Sequence, residues 1–439
     1  MAKLLLHNAI VLTMDEQNTV YNKGYVRVNG KSIEDLGPEE NLTESDLAGC
    51  EMHDCKGGIL IPGMVNTHTH NSMMVFRSLG DDVQDRLSRY IFPLEKGVMT
   101  REVAVAGANY AYAELLLGGV TCVFDAYYFE HYIALAAERA GIRGLFSETI
   151  VNFPAPGSPE PYGGIEAIEE FIRYWKDHER IVPAVFSHAI YTNDSEHLKM
   201  SHRLAQENGV KMGMHVAEMD HEQEDCLKKY GKTPVEYLDN LGILDKNFIA
   251  VHCVNLSEGD MDIFASRGVS VSHNPGSNAK AGRKICPVTR LQKRGVTVGL
   301  ATDGPMSNNT IDIVTQLPLA AKLQKVANHD RCAVSAVEAL RMATIDGAKA
   351  LGLDSIIGSL KKGKRADLVV FETESVNMSP LYDPYYVLVY SANPSNVSLT
   401  MVDGEILVKD KTLTKMSLSE VRAELFAHQE RIRDIAAKL

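Results

Sequence analysis

No stretch of about eighteen consecutive apolar residues occurs in this sequence, so a membrane-spanning helix is not expected. Cysteine is sparse: seven residues, an odd number without paired spacing, exclude a disulfide framework and suit reduced thiols in a cytoplasmic setting. Basic residues are outnumbered, 45 Lys and Arg against 57 Asp and Glu, and the net charge of -12 argues against a nucleic-acid partner. A glycine-rich phosphate-binding loop is missing, as are solenoid repeats and low-complexity tracts. Leu4–Leu6 is apolar, but His7 and Asn8 interrupt it and no small-residue cleavage site follows; a strand is expected there, not a targeting signal. What is present is ordinary globular material, 45% hydrophobic and 23% charged over 439 residues, ample for a large core.

Eight short apolar runs, each closing on a polar residue, carry the strongest structural signal. Gly58–Val65 leads to His68, Val120–Phe124 to Asp125, Leu145–Phe146 to Glu148, and Ile181–Phe186 to His188. Val210–Met214 leads to His215 and Glu218, Phe248–Val251 to His252, Val269–Val271 to His273, and Val296–Ala301 to Asp303. Continuously apolar, β-branched runs are what strands buried on both faces look like. Stretches with an apolar face at helical period lie between them, among them Ala104–Leu117, Tyr132–Ala140, Ile165–Trp175 and Glu196–Gln206. Eightfold strand–helix alternation predicts a (β/α)₈ TIM-type barrel, whose active site forms at the C-terminal strand ends where these polar residues fall. A doubly wound open sheet is the alternative, disfavoured without a phosphate-binding glycine loop.

Both chain ends alternate instead. Lys3–Met14 and Gly24–Val28 are followed by the Asn29-Gly30 turn; Ala366–Phe371 and Val397–Val402 precede Asp403-Gly404 and Glu405–Val408. The expected division is a composite β-sandwich from residues 1–57 and 361–415, a barrel over 58–360, and a charged amphipathic helix over 416–439.

Asn66-Thr67-His68-Thr69-His70 puts two imidazoles at i and i+2 on an extended segment, where both project to one side. His215 ends the fifth run and Asp303 the eighth. Three nitrogens and one oxygen suit Zn²⁺, with Fe²⁺ as the alternative, and leave a position for water. A lone His-x-His is more often a pair of surface loop histidines; its company at other strand ends gives the set its strength.

Pro62–His70, His215-Val216-Ala217-Glu218, Val251–Val254, His273–Asn278, Thr302-Asp303-Gly304 with Ser307-Asn308-Asn309, and Gly363–Leu368 together resemble the amidohydrolase superfamily. Over nearly the whole chain the similarity is to the branch of 5-methylthioadenosine/S-adenosylhomocysteine deaminases and triazine hydrolases. The resemblance implies that Asp303 both ligates the metal and accepts a proton from the activated water. It places Glu218 as the general acid/base for the ring nitrogen and the leaving amine, and His252 beside the hydroxide or tetrahedral intermediate. It further implies that Glu95 and His188 contact substrate. Each has a plainer reading: Glu218 as a helix N-terminal carboxylate, His252 as a core histidine, Glu95 and His188 as structural groups. Asp125, Glu148 and His273 have no assigned role beyond hydrogen bonding around the site.

Binuclear relatives carry a carboxylated lysine near the fourth run. No Lys lies between Ile181 and His197, so one metal is expected. A carboxylic acid at position 218 suits an amine leaving group, which needs a proton, rather than chloride. The H-x-E…P-C-x-x-C signature of cytidine-type deaminases is missing, so base editing on a polynucleotide is not suggested. The expected activity is zinc-dependent deamination of an amino-purine nucleoside such as 5-methylthioadenosine, S-adenosylhomocysteine or adenosine. Another amino-heterocycle, such as a free purine, pterin or triazine, is the alternative, and a non-catalytic scaffold is disfavoured because every ligand is kept. Homo-oligomers are common in the family.

The pattern departs from the family around the pocket. Members acting on adenosine-like thioethers often carry two tryptophans and a histidine just before Pro-Leu-Glu, where this chain has Arg86, Tyr90 and Phe92. Basic residues expected after the third strand are missing, with no Arg or Lys between Arg143 and Arg173. Ile190 and Asn193 replace the usual Pro and Cys after His188. The prolines and glycines from Pro154 to Gly164 read as a loop able to cover the barrel mouth.

Overall fold

The computed structural model describes residues 3–439. Eight parallel strands, Met64–Thr69, Val120–Tyr127, Arg143–Ile150, Ile181–Ser187, Lys211–Val216, Phe248–His252, Ser270–His273 and Val298–Leu300, pair in chain order. The second and third are buried at every residue, which is why their sequences are apolar without alternation. Val65, Phe124, Leu145, Phe186, Ile249 and Val251 pack together inside the ring. This apolar plug lies beneath the polar strand ends.

First and eighth strands close the barrel largely through side chains. The Asn66 amide donates to Thr302 Oγ1 at 2.8 Å and accepts from the Thr302 backbone N–H at 3.1 Å. The Asp303 N–H donates to the His68 carbonyl at 3.1 Å. Two of the expected ligands, His68 and Asp303, therefore sit on one seam.

The chain ends meet in a nine-stranded mixed sheet, the flanking β-sandwich. It runs from Thr412–Leu413 through Glu405–Lys409, Val397–Val402, Leu368–Phe371, Ile59–Pro62 and Lys3–Leu12 to Val20–Asn29 and Ser32–Pro38. Cys50–Asp54 also pairs with Lys3–Leu12. The run Gly58–Val65, expected as one barrel strand, is in fact two. Ile59–Pro62 pairs antiparallel with Leu368–Phe371, and only Met64–Thr69 enters the barrel. Both halves are fully buried, so hydrophobicity alone carries no sign of the switch at Gly63. A Cβ at Gly63 would lie 2.1 Å from Thr121 Oγ1, which is why the crossing point has no side chain.

Arg143 fastens barrel to sandwich. Buried at the start of the third barrel strand, its guanidinium pairs with Asp367 at 2.8 Å and Asp403 at 2.5 Å.

The tail expected as one helix is two, Leu418–Phe426 and Gln429–Ala436. The first packs on Arg101–Leu117 and the second on Phe92–Val98, and the break at Ala427–His428 lets the chain follow both surfaces. No helix among the described residues is long and apolar enough to cross a membrane.

Candidate metal centre

The C-terminal strand ends gather the imidazoles. His68 Nε2 lies 3.2 Å from His215 Nε2, and ligand atoms of His68, His70 and His215 all fall within 4.8 Å of one another. The atoms of His68, His252 and Asp303 do the same. The two groups share His68, so they describe one centre. Asp303 Oδ1 is 3.7 Å from His70 Nε2 and 4.0 Å from His68 Nε2.

The backbone is bent to achieve this. His252 and Asp303 hold φ of 72° and 63°, in the left-handed region, as do Ala217 and Cys253. For residues other than glycine this costs of order 1–3 kcal/mol each and is tolerated where surrounding structure fixes it. Here it turns side chains at strand ends inward.

The donor set suits a divalent cation. Burial lowers the pKa of His68, His70 and His215, keeping the rings neutral and their lone pairs available. His70 Nδ1 is 2.6 Å from the Ala126 carbonyl, which assigns it the proton and frees Nε2 to ligate. His68 and His215 direct Nε2 at each other, and neither Nδ1 has a partner among the described residues. Two neutral imine nitrogens at that distance repel unless a proton or cation lies between them. Burial alone would raise the pKa of Asp303, but the neighbouring His252, His70 and His68 rings and the Ser277 hydroxyl, donating to Oδ2 at 2.6 Å, hold it below the usual carboxylate range.

Glu218 stands on the next shelf. Its Oε1 lies 3.6 Å from His252 Nε2 and 2.6 Å from Arg283 Nη1. Burial raises its pKa, but His252 and Arg283 outweigh that and keep it ionised. The helix N-terminal role falls to Glu222, which accepts the N–H groups of Ala217 at 3.0 Å and Glu218 at 2.8 Å. Glu218 is thereby left to face the cavity. His252 is oriented by Asn278, whose Oδ1 lies 3.0 Å from Nδ1.

A cavity of about 820 Å³ opens above, lined by His70, Glu95, His188, His215, Glu218, His252 and Asp303. Glu95 lies on the helix Phe92–Val98; burial pushes its pKa up to about 8, against the Tyr127 hydroxyl that donates to it at 2.8 Å. Burial lowers His188 to about 4, and its Nδ1 lies 3.0 Å from Thr192 Oγ1. Phe92 packs edge-on against Phe153, from the loop ahead of Pro154, and Tyr128 and Tyr191 also line the walls.

The other strand-end groups have structural work. Asp125 accepts the Asn71 N–H at 3.0 Å, holding the turn beyond His70, and Glu148 accepts the N–H groups of Phe129 and Glu130 at a helix start. His273 is buried with neither ring nitrogen bonded among the described residues, its pKa lowered by burial to about 3. Arg283 and Tyr127 escape sequence reading: no motif marks them, and only folding brings Arg283 to Glu218, 65 positions earlier.

A closed parallel barrel whose strand ends converge on three imidazoles and a carboxylate defines a metal-dependent hydrolase. The chain belongs to the amidohydrolase family, whose profile matches residues 59–407. It is 38% identical over 437 residues to a 5-methylthioadenosine/S-adenosylhomocysteine deaminase of Syntrophobacter fumaroxidans, covering 99% of this chain and 98% of that one. An adenosine deaminase from Xanthomonas campestris with bound zinc superposes with a TM-score of 0.94 at 31% identity, covering 98% of both chains. A triazine hydrolase from Arthrobacter aurescens shares the fold, with a TM-score of 0.90 at 23% identity and 98% and 100% coverage.

Proposed function

We propose that this protein hydrolytically deaminates an amino-purine nucleoside, such as 5-methylthioadenosine, S-adenosylhomocysteine or adenosine, with zinc as its metal and Fe²⁺ as the alternative ion. The observation that carries the reading is Glu218: a buried carboxylate released from helix capping and standing beside the imidazole cluster. The names of the full-length relatives and the zinc in the Xanthomonas structure support it.

A divalent ion held by His68, His70, His215 and Asp303 would supply a water nucleophilic near neutral pH. Asp303 accepts the proton that this water loses on attacking the carbon that bears the amine. Glu218, ionised at rest, takes that proton on and delivers it to the adjacent ring nitrogen, then carries the proton of the added hydroxyl to the amine so that it leaves as ammonia. His252 steadies the oxygen that becomes the product carbonyl. Glu95 and His188 hold the rest of the substrate in the cavity. Seven free thiols suit a cytoplasmic setting.

The test is ammonia release by the zinc-loaded protein from adenosine, 5-methylthioadenosine, S-adenosylhomocysteine, guanine, a pterin and an aminotriazine. Turnover is expected for the nucleosides. Turnover confined to a free base or the triazine would transfer the function to another amino-heterocycle, and a wholly inactive panel would overturn deamination.

A further inference from the structure

One charge at the cavity mouth is not used by the deamination chemistry. Arg86 directly precedes the irregular turn Leu87–Ile91, which leads into the helix bearing Glu95. Its Nη1 donates to the carbonyls of Met306 at 3.0 Å and Ser307 at 3.4 Å, in the segment that follows Asp303. Arg86 and Ser307 both line the cavity.

The other cations on this wall each face an acid. Lys280 pairs with Asp81 at 2.5 Å, Arg283 with Glu218 at 2.6 Å, and Lys284 with Asp220 at 3.6 Å. Arg86 bonds only neutral carbonyls, and its Nε and Nη2 have no acceptor among the described residues. Asp81 feels its field, but that carboxylate is already held by Lys280 and Asn309. In a chain of net charge -12, an uncompensated guanidinium facing a pocket is not a reflection of composition. The cavity, about 820 Å³, lies within the range of small-molecule sites and has room for more than a heterocyclic base.

We propose that Arg86 is the receptor for an anionic group, carboxylate or phosphate, carried by the substrate at the end remote from the reacting C–N bond. The inference rests on the deaminase reading for the position of that bond. One arm of the guanidinium is anchored on backbone oxygens, so its planar fork is held ready for a two-pronged contact with an oxyanion. Arg86 is then a specificity residue: it ranks substrates by whether they carry an oxyanion at that end and has no part in proton transfer.

The experiment compares kcat/KM for two oxyanion-bearing nucleosides, adenosine 5′-monophosphate and the zwitterionic S-adenosylhomocysteine, with that for adenosine and 5-methylthioadenosine, which carry no oxyanion, in wild type, Arg86→Met and Arg86→Lys. Arg86→Met is expected to lower the ratio of oxyanion-bearing to oxyanion-free substrates about tenfold or more, the scale of a charge-assisted hydrogen bond, and Arg86→Lys to restore part of it. Which anionic substrate loses more separates phosphate from carboxylate. An unchanged ratio, or an equal fall on all four compounds, would overturn the proposal and leave Arg86 a structural group. Calorimetric binding of adenosine 5′-monophosphate to zinc-loaded Glu218→Gln, with and without Arg86→Met, reads the same charge contact without turnover. Binding that weakens with Arg86→Met while no nucleoside is deaminated would reject the deaminase reading and keep the anion receptor. Binding indifferent to Arg86 would reject the receptor whatever the enzyme turns over.

Discussion

At the scale of single residues, Glu218 and Glu95 are two buried carboxyl groups in opposite states. Arg283 and His252 keep Glu218 ionised, and Glu218→Gln is expected to lower kcat by roughly 10²–10⁴-fold, the range of a lost proton shuttle. Metal content by atomic absorption should stay unchanged, since Glu218 is outside the ligand set; a variant with full activity would remove the proton role. Glu95 has no cationic partner, and its pKa rises from 4.5 to about 8. Its neutral form is the one the fold favours. That contribution to stability is complete below about pH 4.5, declines as the pH climbs, and is gone above about pH 8. Glu95→Gln should flatten this component, worth up to roughly 5 kcal/mol, so that the variant gains on wild type between pH 5 and about 8 in urea titrations. His68, His70, His215, Asp303 and Glu218 were legible in the sequence because they end apolar runs. Arg283 was not, since an arginine in a polar loop carries no periodicity and its partner is chosen by tertiary packing.

At the scale of elements, the links between them carry the specificity. Arg143 is the only buried cation between Asp367 and Asp403 among the described residues, and both carboxylates are buried with it. Arg143→Met leaves buried Asp367 without a cation and Asp403 with only Arg365 at 3.7 Å, and is expected to cost about 3–5 kcal/mol, measured as a shift of the urea midpoint. A shift below about 1 kcal/mol would mean the pair of acids reorganises or protonates at little cost. Glu222 is a second such link: Glu222→Ala strips acceptors from the N–H groups of Ala217 and Glu218, and should lower both stability and kcat, because the turn presenting Glu218 loosens. Circular dichroism melting with steady-state kinetics reads both; a fall in stability with kcat intact would separate cap from site. The barrel strands were readable because burial on both faces makes them continuously apolar. The same rule hid the switch at Gly63, where an apolar sandwich strand runs straight into an apolar barrel strand. The tail helix was read as continuous because its amphipathic pattern is, and only the two surfaces it must follow break it.

At the scale of the whole molecule, the metal centre and the closure of the barrel are one assembly, since His68 and Asp303 are joined across the seam between first and eighth strands. Removing the ion should therefore lower the melting temperature as well as abolish activity. At free metal 100-fold above its Kd, binding stabilises by about 2.7 kcal/mol. Dialysis against a chelator, followed by calorimetry with and without added zinc, checks this; identical melting curves would mean the imidazoles hold their places without the ion. The sandwich raises a different matter, one of time. Ile59–Pro62 has one neighbour, Leu368–Phe371, that lies about 300 residues further along the chain. At 5–20 residues per second, synthesis takes roughly 15–60 s to deliver it. Throughout that interval Ile59, Leu60 and Ile61 present an open apolar strand edge, the kind that recruits strands from other chains. The nascent protein is therefore most vulnerable to aggregation late in its making, while its barrel is already emerging, and shielding of that edge by a chaperone would matter more than any help with the barrel itself.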